Sequence, residues 1–177
     1  MTDHTATATA TSTALTPALA AEPGFAPESR VWVYVTGRPL TAAESREAQT
    51  ALDAFTRQWT AHNQALLAKA EVFQNQMVIL MVDETKAGAS GCSIDKSVHF
   101  LENLGDQLNV DFFERMRFGW VEGDKIAFAG RPEFAALAGE GHITETTRVV
   151  NTLAQTRREL LENWLLPFGK SWHRRMV

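Results

Sequence analysis

The sequence predicts an α+β fold, a small mixed sheet with two main helices packed on it and a C-terminal helix closing the core. Three observations carry that expectation. Residues 30–36 and 77–82 are β-branched, aromatic or apolar on both parities, as in strands covered on both faces. Ala48, Leu52, Phe55 and Trp59, and again Ile94, Val98, Leu101, Leu104 and Leu108, recur at spacings of three and four, the stripe of an amphipathic helix. Residues 156–166 repeat that pattern with Leu160, Leu161 and Trp164 before Pro167 and Gly169 end it.

The elements follow in order. Residues 1–29 are rich in Ala and Thr, contain Pro17, Pro23 and Pro27, and offer few bulky apolar side chains to offset the entropy of ordering. They read as a disordered tail before a single domain at 30–177. The opening Thr2-Asp3-His4 lacks the basic flank of a signal peptide. Residues 30–36 read as a central strand, broken by Gly37-Arg38-Pro39. Thr41 and Glu44 form a capping-box pair at the start of the first helix, whose stripe continues through Trp59 to His62.

Residues 71–82 read as one buried strand ending at Asp83-Glu84. Cys92 or Ser93 suits the N-cap of the second helix, and Asn109-Val110-Asp111 closes it. Met116, Phe118 and Trp120 alternate with Arg115, Arg117 and Gly119; Glu122-Gly123-Asp124 then turns into residues 125–128, a hairpin pattern. Pro132 opens a short helix carrying Phe134 and Leu137, Gly139 and Gly141 stop it, and residues 148–150 form a short strand.

Composition narrows the function. The chain has 177 residues, 45% of them hydrophobic, and a net charge of −4. That balance argues against general nucleic-acid binding, which depends on counterion release at a basic surface. Cys92 is the one cysteine, so no internal disulfide forms, and a free thiol fits a reducing, cytoplasmic location. The longest apolar run, 77–82, is strand-sized and far short of a membrane span.

Chemistry concentrates at 90–97. Ser90, Gly91, Cys92, Ser93, Asp95, Lys96 and Ser97 gather at one helix N-terminus, where free backbone N–H groups favour a small anionic ligand. Cys92 at that place gains thiolate character from the dipole and from Lys96, and His62 or His173 supplies the imidazole a catalytic thiol needs. His99 lies four residues from Asp95 and pairs with it instead. Asp83 stands at the end of the buried strand, while Trp59 and Trp172 flank the two imidazoles and complete the expected ligand-binding set. His62, Cys92 and His173 have no metal-ligand spacing, and no cofactor is indicated.

Two other readings compete. In one, the chain is a non-catalytic interaction or regulatory module whose residues at 90–97 only cap a helix. In the other it is a degenerate nucleotide-binding protein; Lys96-Ser97 fit the end of G-x-x-x-x-G-K-[ST], but Ser90 and Asp95 stand where the two glycines belong.

Gln58-Trp59-Thr60-Ala61-His62, Val82-Asp83-Glu84, residues 90–98 and Ser171-Trp172-His173-Arg174 together resemble a family of small uncharacterised bacterial proteins often named "ABC transporter ATPase". The likeness runs from about Val31 to the C-terminus. It implies that Trp59 and His62, Asp83, residues 90–97, and Trp172 and His173 belong to one recurring pattern, and it brings no substrate with it.

Overall fold

The computed structural model describes residues 15–177 and is an α+β protein in four layers. Its strands are β1 (Arg30–Val35), β2 (Thr60–Ala61), β3 (Gln64–Ala65), β4 (Leu67–Phe73), β5 (Met77–Asp83), β6 (Arg117–Glu122), β7 (Lys125–Gly130), β8 (Arg148–Val150) and β9 (Leu165–Pro167). Its helices are α1 (Ala42–Gln58), α2 (Gly91–Leu108), α3 (Arg131–Gly139) and α4 (Arg157–Glu162). One sheet has the order β1-β5-β4 and a second β7-β6-β8-β9, with β2 and β3 as a small ribbon.

Every strand pairing is antiparallel, so there are two antiparallel sheets where one mixed sheet was expected. Tight turns impose this on β2–β3, β4–β5 and β6–β7, whereas β1–β5, β6–β8 and β8–β9 pair antiparallel across longer connections that carry helices. The stretch 71–82 is not one strand: Gln74 and Asn75 take φ of 56° and 54°, folding β4 back onto β5. That places β5 at the centre and β1 at an edge, correcting the central position expected for 30–36. Every residue of β5 is buried.

Alternation along the strands builds the layers. Met77, Ile79 and Met81 face the cluster between the sheets, and Val78, Leu80 and Val82 face the one under α1 and α2. In the second sheet Ile126 and Val150 point into the inter-sheet layer, while Phe118, Trp120 and Val149 point outward to α3 and the C-terminus. Arg117 joins the sheets: its guanidinium donates to the Thr36 carbonyl at 2.6 Å and to Gln76 Oε1 at 2.7 Å.

Thr41 and Glu44 form the expected capping box. Arg38 grips the Glu44 carboxylate at 2.8 and 2.9 Å and donates to the Leu108 carbonyl at 2.8 Å, linking the start of α1 to the end of α2. Gln49, on α1, donates to the Ala70 carbonyl at 3.0 Å and accepts the Val72 N–H at 2.8 Å along the outer side of β4. Residues 117–130 form the expected hairpin, and α3 and β8 lie where predicted.

The C-terminal helix is shorter than 156–166. It ends at Glu162, and residues 165–167 pair with β8 instead, leaving Leu161 59% exposed. The disordered tail is also corrected for residues 15–29, which fold, while residues 1–14 lie outside the described residues. Leu15, Leu19, Ala20 and Phe25 enter the inter-sheet core. Backbone groups tether the segment: the Trp164 indole donates to the Leu15 carbonyl at 3.0 Å, and the Ala18 and Leu19 N–H groups donate to the Glu71 carboxylate at 3.0 Å each. Composition misses such anchoring because the backbone bonds and the few buried side chains reach partners far away in the sequence. Among the described residues no helix is long and apolar enough to cross a membrane.

Candidate functional site

The loop after β5 delivers Ser90 as the N-cap of α2, ahead of the expected Cys92 or Ser93. The Ser93 N–H donates to the Ser90 hydroxyl at 3.2 Å and the Ser90 N–H to the Ser93 hydroxyl at 2.7 Å, a reciprocal box in which Ser93 does the work of the usual Glu or Gln. The Ser93 hydroxyl donates back to the Ser90 carbonyl at 2.8 Å. Ser97 donates to the Ile94 carbonyl at 2.6 Å and hydrogen-bonds the Tyr34 side chain, whose pKa burial raises. These three hydroxyls hold the helix in place. Cys92, Gly91, Asp95 and Lys96 are exposed, and the Cys92, Asp95 and Lys96 side chains have no partner among the described residues.

Trp59 is 2% exposed and belongs to the core. Its indole donates to the Ser93 carbonyl at 2.8 Å, and its ring centroid lies 5.1 Å from that of Phe55 and 6.0 Å from that of Trp32. The stripe leading to it stops there as helix. His62 and Asn63 take φ of 49° and 63°, making the two-residue turn that joins β2 to β3, and His62 points to solvent. Period alone missed this because the spacing runs on past the end of α1. His99 Nδ1 lies 3.0 Å from Glu102 Oε2, its partner in place of Asp95.

His173 is wholly buried. Its ring stacks on Trp172 at 3.8 Å and meets Phe118 edge-on at 5.3 Å; Nδ1 is 3.3 Å from the Ser171 hydroxyl, and Nε2 has no partner. Burial lowers its pKa to about 4. Cys92, His62 and His173 thus occupy the start of α2, an exposed turn and the outer core of the second sheet. No hydrogen bond joins either imidazole to the thiol among the described residues, so the expected Cys92–His62–His173 constellation does not form.

Asp83 serves the fold. Its carboxylate accepts from the Thr85 hydroxyl at 2.5 Å, the Thr85 N–H at 2.9 Å, the Ala26 N–H at 2.7 Å and the Ser29 hydroxyl at 3.4 Å. The Thr85 hydroxyl, then the Ala26 N–H, lower its pKa from 3.8 to about 2 against the opposing cost of burial. Since the folded value lies below the unfolded one, the carboxylate stabilises the fold above pH 3.8, and this is lost as pH falls through about 2. Asp83→Asn is expected to cost about 2 kcal/mol at neutral pH and to lose that acid dependence, measured by urea unfolding across the range.

A different place gathers unsatisfied groups. A cleft of about 290 Å³ lies beside the inter-sheet layer, bounded by Val33 and Val35 of β1, Glu114, Arg115 and Arg117, Thr152 and Leu153 after β8, and Trp172. Leu153 is 60% exposed. Arg115 is exposed and unpartnered among the described residues, whereas Arg117 is bound to Thr36 and Gln76. Glu114 uses one carboxylate oxygen to accept the Met116 N–H at 2.7 Å. The Trp172 indole N–H is shielded and has no acceptor. Trp172 stands in the sequence as a member of the expected ligand-binding set, but nothing there pairs it with Arg115 or Leu153. No family model matches the chain, and no curated protein or solved structure matches it.

Proposed function

We propose that the protein is a non-catalytic binding module whose site is the cleft walled by Trp172. One observation carries the reading: four separate stretches of chain bring an arginine with no ion-pair partner among the described residues, an aromatic side chain and an exposed leucine to one concavity. Binding sites combine an apolar lining with a few polar groups that fix orientation, and this cleft has both. The helix start at 90–97 is a weaker candidate, since Ser90, Ser93 and Ser97 already spend their hydroxyls on the fold.

The test is titration of the uniformly ¹⁵N-labelled protein with 1-naphthaleneacetate and, separately, 1-naphthaleneacetamide, followed by amide and indole correlation spectra. Saturable shifts concentrated at Val33, Val35, Thr152, Leu153 and the Trp172 indole support the reading. Shifts confined to other surfaces, or none with either compound, overturn it. The catalytic alternative has its own check. Alkylation of Cys92 by iodoacetamide is expected to keep its rate in His62→Ala and His173→Leu, whereas a tenfold fall in either variant would restore an imidazole–thiol pair.

A further inference from the structure

The cleft at Trp172 carries enough chemistry to define a class of ligand. Its charged lining consists of Arg115, Arg117 and Glu114. Arg117 spends its guanidinium on Thr36 and Gln76, and its charge is matched by nearby Glu114. Arg115 is left as the one lining cation without a partner among the described residues. With Arg117 and Glu114 offsetting each other, the lining keeps one net positive charge, at Arg115, which suits a monoanion.

The rest of the lining is apolar or aromatic. Val33 and Val35 line one part, Leu153 is exposed, and Trp172 adds an aromatic side chain to the lining. A volume of about 290 Å³ is at the small end for a ligand site and admits a body of one or two rings. The Trp172 indole N–H is closed to solvent, so the side chain offers the cleft its apolar surface and Arg115 supplies the charge.

We infer that the cleft binds a small planar carboxylate, its ring lying along Trp172 and Leu153 and its carboxylate held by Arg115. This rests on the reading of the cleft as the binding site and adds the charge and shape of what enters it. Arginine suits the task because its planar fork meets a carboxylate with two parallel hydrogen bonds. Release of the ligand at high salt follows from the exposure of Arg115.

The matched probes separate the two claims. 1-Naphthaleneacetate is expected to bind the wild-type cleft about tenfold more tightly than the neutral 1-naphthaleneacetamide, with the preference shrinking at 0.5 M sodium chloride. Arg115→Gln is expected to bring the two affinities together while leaving that of the amide unchanged; Arg115 is exposed, so the variant keeps the fold. Arg115→Lys should retain part of the preference. Equal binding of both probes in the wild type, or a preference that survives Arg115→Gln, overturns the carboxylate assignment and leaves the cleft as a binding site. Binding of neither probe removes the site itself.

Discussion

His173→Leu is expected to flatten the loss of stability that the native protein shows as pH falls from 6.5 to about 4. The imidazole is wholly buried against Trp172, Phe118 and Phe134, and burial alone accounts for its lowered pKa. In the unfolded chain the ring takes a proton near its ordinary 6.5, while in the fold it stays neutral until about 4. The unfolded state therefore binds the extra proton throughout that interval, and stability falls with pH by up to about 1.4 kcal/mol per unit. The total comes to about 3 kcal/mol, complete by the folded pKa. Leucine has no such proton. Parallel urea denaturation of both proteins from pH 7.5 to 4 measures the difference, and identical slopes would show that His173 does not titrate in this way. The Asp83 contribution lies lower, between 3.8 and about 2, so the two do not overlap.

Leu19→Ala is expected to destabilise the protein by about 3 kcal/mol, in the range for emptying a packed aliphatic site. Leu19 is 4% exposed and lies in one cluster with Ile79, Leu160 and Trp164. Its neighbours have little freedom to close the gap, because β5 is fixed between two strands and Trp164 is hydrogen-bonded to Leu15. Thermal and urea unfolding provide the measurement. A change under 0.5 kcal/mol, the level typical of surface substitutions, would mean that residues 15–29 contribute no more than a tail would.

These two residues also show what the sequence did and did not make legible. The helices α1 and α2 and the β6–β7 hairpin were visible because local spacing, a capping pair and a turn glycine agreed. The segment at 15–29 was not, because its four buried apolar residues are held by backbone N–H groups donating to Glu71 and Asp83, partners more than fifty residues away. His62 extended a helical period that the left-handed turn at 62–63 ends, and no count of spacings reports a φ angle. The candidate site fared worse. Cys92 and its serines stood out by composition, and the serines turn out to be a helix cap. Arg115, Leu153 and Trp172 come from three distant stretches and became a cleft only once the sheets were stacked.

The side chain of Gln49 presents an amide donor and an amide acceptor to Ala70 and Val72, the same pair of groups that a neighbouring strand would offer. A single residue on α1 thereby imitates one residue of the next strand and occupies two of the edge groups to which another polypeptide could pair.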